Sequence, residues 1–207
     1  MYLPRAFAET DPAQLDALFA RDAFVTLVTV ADGAPVVSHL PVLYARDGDR
    51  IVLRGHWAKP NPQATHTGPA LVIAHGPHAY VSPSWYPDKE AQARVPTWNY
   101  VVAHLHGTLE RLDDDASLGA IVADLSREHE PRVGQSWQYD HARDDLRSQL
   151  RGIVGFRFAC ERFALKAKLS QNHPDANREA VIARLDAQPS DDSRAVAAMM
   201  RATFKGE

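Results

Sequence analysis

The stretch of the 207-residue chain best suited to chemistry is GHWAKPNP, residues 55–62. A strand-like run ends at Gly55, and His56, Lys59 and Asn61 follow closely. Cationic and donor side chains beside free backbone N–H groups at the start of a helix form an anion site, for which a phosphate monoester is a natural ligand. An ordinary surface turn with one lysine is the alternative.

A second candidate is WYPDKEAQARVPTWNY, residues 85–100, which sets aromatic pairs at both ends of a polar stretch in a chain that is 8% aromatic. Indole and phenol rings at a pocket mouth can stack on an aromatic ligand while their N–H and O–H groups stay paired. For any single ring, filling a core or a subunit interface is the better interpretation. Two clusters that flank one loop favour a ligand or interface role; they comprise Trp85, Tyr86, Trp98 and Tyr100.

A third candidate is SHLPV, residues 38–42, in which a polar pair interrupts an apolar strand. Pro41 cannot donate to a sheet ladder, so we expect this strand to lie at a sheet edge or to be kinked there. The free backbone groups of such a strand can hydrogen-bond a flat heterocycle. A β-bulge with two solvent-facing polar side chains explains the pattern equally well, and the sequence leaves both interpretations open.

Other catalytic patterns have little support. His104 and His106 lie two apart on a predicted strand and so share a face, but the sequence offers neither a Cys pair nor an HExxH motif, and no metal site is predicted. Cys160 alternates with Phe156 and Phe158, which favours a buried small side chain over a nucleophile. GxSxG, GxGxxG and Walker-type motifs are absent. Any chemistry is therefore expected to belong to a bound cofactor.

The elements that position these residues are mainly strands. Turn signals separate β-branched runs at 23–31, 35–45, 50–55, 70–76, 78–84, 99–112 and 153–169. Amphipathic patterns predict helices that start near Asp11 and at 113–115, and two more at about 174–187 and 190–204. Hairpin-linked strands favour an α+β fold, a mostly antiparallel β-barrel with helices packed outside.

Length and composition suit a single domain over 1–207. With one cysteine, no intramolecular disulfide can form, which favours a reducing compartment. The N-terminus lacks a signal-peptide pattern and no apolar run approaches the ~20 residues that span a bilayer, so we expect a cytoplasmic protein without membrane contact. The net charge of −3, from 23 basic and 26 acidic residues, argues against nucleic acid as the main partner.

Five motifs, in order along the chain, resemble the PaiB-type FMN-binding negative transcriptional regulators. They are MYLPRAF, GHWAKPNPQ, AYVSPSWY, VPTWNYVVAHLHG and KAKLSQN, and they reach from Met1 to about Asn172. The resemblance implies an FMN-binding split β-barrel, related to pyridoxamine-phosphate-oxidase-like flavoproteins, that forms a homodimer with two flavin sites in the subunit interface. The helices at about 174–204 fit the same single domain.

The resemblance also implies a set of flavin-binding residues. Ser38, His39 and Leu40 would lie along the isoalloxazine edge, and His56, Lys59 and Asn61 would hold the phosphate. Trp85, Thr97, Trp98 and Asn99 would close over the flavin, and Lys168 and Gln171 would reach the site from the KLSQN motif. The Trp98 end is expected to complete the site of the neighbouring subunit, and the bulky Trp57 is expected to crowd the phosphate turn.

Three functions follow as hypotheses. The favoured one is an FMN-binding protein with a regulatory role or a modest flavin-dependent redox activity. A DNA-binding repressor is the second, but no helix-turn-helix is legible and the basic residues of the last helices, Arg184, Arg194, Arg201 and Lys205, alternate with aspartates as on a solvated mixed-charge face. A flavin reductase or haem-degrading enzyme on the same barrel is the third, since a fold does not decide function.

Overall fold

The computed structural model describes residues 1–204, which contain eight strands and five α-helices. The strands are β1 (Ala8–Glu9), β2 (Phe24–Ala31), β3 (Ala34–Pro41), β4 (Leu43–Asp47), β5 (Arg50–Ala58), β6 (Gly68–Val81), β7 (Thr97–Leu112) and β8 (Ile153–Lys168). The helices are α1 (Pro12–Arg21), α2 (Asp115–His129), α3 (Asp144–Gln149), α4 (Asp175–Asp186) and α5 (Asp191–Ala202).

The strands hydrogen-bond in the order β3-β2-β6-β7-β8-β5-β4, and β1 pairs with β8. The β1/β8, β2/β3, β2/β6, β4/β5 and β5/β8 pairs are antiparallel. The predicted α+β class with a mostly antiparallel sheet is confirmed. None of the helices within residues 1–204 is long and apolar enough to cross a membrane.

The described chain divides into two compact units. The first comprises Met1–Leu15, His75–Ala103 and the chain from Ala164 onward, and the second comprises Asp16–Ala74 and His104–Phe163. Each has its own buried side chains: Val81, Val101, Leu169, Val181 and Met200 in the first, and Leu27, Leu53, Leu105, Phe156 and Phe158 in the second. The single domain over 1–207 stays a prediction.

The helix starts follow the sequence signals. Helix α1 begins at Pro12, as the Asp-Pro pair predicts. Asp114 caps α2 by accepting from the Ser117 N–H at 2.8 Å, and Ser190 caps α5 by accepting from the Ser193 N–H. These short polar side chains take up N–H groups that have no partner within the helix.

Two strand predictions need correction. A turn is expected at Gly76-Pro77, but β6 runs without a break from Gly68 to Val81. The prediction is wrong because both residues lie within the strand, where the alternation of buried side chains shifts by one residue: residues 72, 74 and 76 are buried, and then residues 77, 79 and 81. A one-residue slip of this kind tolerates glycine and proline within a strand.

The predicted strand over 35–45 is in fact two strands. Strand β3 ends at Pro41, and the Val42 N–H donates to the Ala23 carbonyl at 3.0 Å before β4 begins at Leu43. Because β3 lies at the end of the sheet order, the expected edge position of Pro41 is confirmed.

Candidate functional site

In the second unit, β5 leads into the turn at residues 59–65, which we call the β5 turn. Along β5, Ile51, Leu53, Gly55 and Trp57 are buried and His56 lies on the opposite, half-buried face. A Cβ at Gly55 would lie 2.7 Å from the Phe156 ring, so only glycine lets the strand pass this close.

Gln63 holds the β5 turn in place. It is completely buried; its Oε1 accepts from the Trp57 indole N–H at 3.1 Å, and its Nε2 donates to the Leu27 and Val36 carbonyls at 3.1 and 2.8 Å. One amide thus joins β5 to β2 and β3. Trp57, 1% exposed, supports the turn from the core and does not crowd it, contrary to expectation.

Asn61 and Ser38 form a second link between the β5 turn and β3. The Asn61 Oδ1 accepts from the Gln63 N–H at 2.9 Å, and its Nδ2 donates to the Ser38 Oγ at 3.0 Å. Ser38 is buried whereas His39 is exposed, so the polar pair is not two solvent-facing side chains. Leu40 is buried and offers only its backbone to a ligand.

His56 and Lys59 lie near the end of β5 and at the start of the β5 turn. The His56 Nδ1 is buried without a hydrogen-bond partner in the described residues, and burial lowers the pKa of its ring. A neutral imidazole with an unused nitrogen results. The Lys59 side chain is exposed, and its backbone N–H is fixed to the Gly152 carbonyl at 2.8 Å.

In the first unit, Lys168 holds the start of β7. Its Nζ donates to the Thr97 Oγ1 at 2.5 Å and to the Trp98 carbonyl at 2.6 Å. Burial, reinforced by the charge of Lys166, lowers the pKa of the Lys168 ammonium. The Trp98 indole is 52% exposed and lies 6.0 Å from the Tyr80 ring, edge to face. Trp85 is half-buried in a 3₁₀ helix, Pro83–Trp85.

The turn at 168–172 is held by its own side chains. Ser170 has a φ of +64°, which is unusual for a residue with a Cβ. The Gln171 Oε1 accepts from the Leu169 N–H at 2.7 Å, and its Nε2 donates to the Ala167 carbonyl at 2.6 Å. Asn99 is completely buried, and its Nδ2 donates to the Ser170 Oγ at 2.9 Å. Gln171 and Asn99 therefore shape this turn from within.

The loop between the two aromatic pairs is closed by an ion pair. The Arg94 guanidinium contacts the Asp88 carboxylate in a bidentate arrangement, with distances of 2.9 and 2.5 Å, and holds the pKa of that carboxyl at about 2. Tyr86 is buried and stacks on His173, with ring centroids 4.8 Å apart. The loop is thus anchored at Tyr86 and Arg94, which no sequence motif marks as a pair.

The twelve predicted site residues thus fall into two groups. Ser38, His39, Leu40, His56, Lys59 and Asn61 belong to the second unit, and Trp85, Thr97, Trp98, Asn99, Lys168 and Gln171 to the first. Direct hydrogen bonds join Asn61 to Ser38 in one group and Lys168 to Thr97 in the other. Gln63 was missed because an isolated glutamine in a turn shows no pattern before its burial is known.

The remaining candidates do not assemble into a metal or nucleophile site. His104 and His106 share one face of β7, as predicted. Among residues 1–204, no group of three or more His, Cys, Asp or Glu side chains is placed to hold a metal. Burial raises the pKa of the half-buried Cys160 thiol to about 11, so it is not a thiolate at neutral pH.

Comparison with known sequences decides the family. Residues 1–162 match a family described as "Putative FMN-binding domain". Over 208 aligned residues the chain is 31% identical to the "Protease synthase and sporulation protein PAI 2" of Bacillus subtilis, with 99% of each chain covered. The chain belongs to the PaiB-type FMN-binding family. The resemblance inferred from the motifs is confirmed, and the cofactor of the PaiB-type family is FMN.

Solved structures agree on the fold. A FAD and haem binding protein from Mycobacterium smegmatis superposes with a TM-score of 0.58 at 20% identity, covering 84% of this chain and 79% of that one. The flavocytochrome Anf3 from Azotobacter vinelandii gives a TM-score of 0.56 at 14% identity, covering 80% and 72%. At these identities the likeness concerns the fold alone, and it confirms the split β-barrel class for this PaiB-type chain.

The donor set of the β5 turn fits a phosphorylated flavin. A buried ring nitrogen without a partner in the described residues, on His56, precedes an exposed cation, Lys59, on a turn that Gln63 and Asn61 hold rigid. Buried polar atoms normally have hydrogen-bond partners, so an unused one marks a place where a ligand atom can complete the site.

Proposed function

We propose that the protein binds FMN at an interface between two copies of the chain. The observation that carries the proposal is the unpartnered His56 Nδ1 near the end of β5, which leads into a turn that carries Lys59 and is fixed in advance by a buried amide. Such a preorganised corner binds a phosphate without the entropy cost of ordering its own groups. When bound, FMN supplies one- and two-electron redox chemistry.

Within this proposal the predicted residues have different roles. His56 and Lys59 bind the phosphate side, and the backbone of Ser38, His39 and Leu40 on the edge strand faces the isoalloxazine. Asn61, Asn99 and Gln171 are positioning residues, because their amides are occupied by protein partners. The ring is covered by residues of the neighbouring copy, namely Trp85, Thr97, Trp98 and Lys168. The exposed Trp98 indole can stack on the ring.

An exposed apolar sheet face supports the homodimer. The outward side of β2 and β3 carries Phe24, Val30 and Val37, which are 54%, 69% and 49% exposed. Val28, which is paired with Val37 and with Leu71 of β6, extends the same face. Apart from the Thr26–His39 pair, the cross-strand pairs of this face are apolar. Exposed apolar side chains grouped in this way mark interaction sites, and a second copy of the same face is self-complementary.

The regulatory part of the proposal is an indirect one, exerted through the flavin or a protein partner in the cytoplasm. Two of the basic side chains considered for DNA contact are paired within the protein: Arg194 with Asp191, and Arg201 with Asp186. Paired guanidinium groups offer less charge to DNA phosphates. Lys205, also considered for DNA contact, lies outside the described residues.

Equilibrium titration with FMN tests the proposal. Flavin fluorescence should be quenched with a defined stoichiometry, and Lys59→Ala should weaken binding about tenfold or more, because a charge-assisted phosphate contact is worth about 1.5–3 kcal/mol. Lys89→Ala, which removes an exposed lysine of the other unit, is the matched control and should bind like the wild type. Absent quenching by the wild-type protein at micromolar FMN would overturn the proposal.

A further inference from the structure

A cleft of about 360 Å³ lies within the first unit, between the aromatic loop and the 168–172 turn. Its volume falls in the range of pockets that bind small organic molecules. The lining combines apolar with polar side chains: Phe7, Tyr86, Gln92, Ala93, Arg94, Val95, Thr97, Lys168, Ser170, Asn172 and His173.

Two buried polar atoms on the lining residues have no partner in the described residues, the Tyr86 Oη and the His173 Nδ1. Tyr86 is 2% exposed, and burial raises the pKa of its hydroxyl, an effect that the Ser170 side chain partly offsets; the Ser170 hydroxyl is itself engaged with the Asn99 amide. A buried hydroxyl and a buried ring nitrogen are seldom left without partners in folded proteins. Their coincidence at one cleft, on two rings stacked 4.8 Å apart, points to a ligand.

The charges that line the cleft specify the kind of ligand. Arg94 is neutralised by its bidentate pair with Asp88, while Lys168 contacts only uncharged oxygens. Burial and then Arg94 lower the pKa of His173, which keeps that ring neutral. Among the described lining residues, the cleft therefore presents a single uncompensated positive charge together with neutral donors. A monoanion matches this charge better than a phosphate does.

We infer that this cleft binds a small organic monoanion, a carboxylate on an apolar body, whose oxygens face Lys168 and Tyr86. Phe7, Ala93 and Val95 provide the apolar wall for its body. Thr97 and Lys168 also belong to the set proposed to cover the flavin, so the inference rests on the proposed function for placing the carboxylate next to the FMN ring. The inference names the class of ligand that binds beside the flavin, and ligand binding to the cleft can be measured without flavin.

Isothermal titration of the full chain with benzoate tests the inference, with benzamide as the neutral molecule of the same shape. Benzoate should bind one per chain and at least about tenfold more tightly than benzamide, since a charge-assisted hydrogen bond is roughly twice as strong as a neutral one. Tyr86→Phe and His173→Phe keep both stacked rings and remove the unpartnered atoms. Each substitution should weaken benzoate binding about fivefold or more, because one hydrogen bond to the ligand is lost.

Two controls make the outcomes distinct. Tyr80→Phe changes an exposed tyrosine of the same unit and should leave benzoate affinity unchanged. Tyr86→Phe should leave FMN affinity unchanged, so failure of FMN binding with intact benzoate binding overturns the proposed function and not the cleft. Equal affinity for benzoate and benzamide, no effect of Tyr86→Phe, preference for inorganic phosphate, or one-for-one competition between FMN and benzoate would each overturn the inference.

Discussion

At the scale of single residues, burial determines which ionisable groups are charged. Burial lowers the pKa values of His56, His173 and Lys168, and raises that of Cys160. These groups are partly removed from water, and the desolvation penalty falls on the charged form. The neutral imidazoles can therefore complete hydrogen bonds to a ligand without adding charge, and the charge at the β5 turn comes from Lys59.

His56 should make the stability of the protein depend on pH. Its folded-state pKa lies below the unfolded value of about 6.5, so the unfolded chain binds a proton at pH values where the folded imidazole stays neutral. The free energy of unfolding therefore falls as the pH drops below about 6.5. Denaturant unfolding at several pH values between about 5 and 8 measures this loss. His56→Gln should lose less stability over that interval than the wild type does.

The opposite behaviour would show that His56 is charged in the folded state. If His56→Gln lost as much stability as the wild type, or more, the neutral imidazole would be ruled out. His66→Gln serves as the control, because it changes a histidine of the same unit whose Nδ1 is already paired, with the Thr29 Oγ1 at 2.7 Å.

At the scale of elements, local signals predicted the strands and helices well where turn and cap residues act alone. Pro41 ends an edge strand, and Ser190 and Asp114 start helices as expected. The Gly76-Pro77 prediction failed because β6 continues through the pair with a one-residue shift in its burial pattern, so the pair forms no turn. Tertiary contacts also hid the role of Gln63, whose partners lie 6 to 36 residues away along the sequence.

Gln63 should prove the most sensitive residue of the β5 turn. Gln63→Leu leaves the Trp57 indole N–H and two strand carbonyls without their partner, so we expect a loss of about 3 kcal/mol in the free energy of unfolding. Denaturant unfolding gives this value. FMN affinity should fall as well, because the turn that presents His56 and Lys59 loses its support.

Gln188→Leu is the control for this substitution. Its Nε2 donates only to the Arg184 carbonyl on an exposed surface, so stability should change by no more than about 0.5 kcal/mol. A Gln63→Leu protein as stable as the wild type would show that the buried amide does not hold the turn.

At the scale of the whole molecule, the proposed flavin site requires a second copy of the chain, which the composition does not indicate. The motif resemblance implied a dimer, and the face formed by Phe24, Val30 and Val37 offers a surface for it. The residue alternation along β2 indicates only that one side of the strand faces away from the core. Which residues stay exposed on that side depends on how the other strands and helices cover the sheet, and sequence periodicity does not contain that information.

Val37→Asp should separate the protein into monomers. It places a carboxylate in the centre of the apolar face, where an unpaired charge cannot be buried without several kcal/mol of penalty. Sedimentation equilibrium should show the wild type at twice the chain mass and the variant at the chain mass. Val133→Asp, at an exposed valine in a 3₁₀ helix of the same unit, should stay dimeric; a dimeric Val37→Asp protein would place the interface elsewhere.

The most direct test of a flavin site shared between two copies is complementation between two defective chains. Lys59→Ala damages the phosphate side and Trp98→Ala the ring side, so each homodimer alone should bind FMN weakly. In a mixed dimer, the Lys59 of one chain meets the Trp98 of the other, and one of the two sites is intact. Fluorescence titration of the re-associated mixture should therefore recover FMN binding at wild-type affinity; binding no better than that of the two separate variants would contradict a shared site.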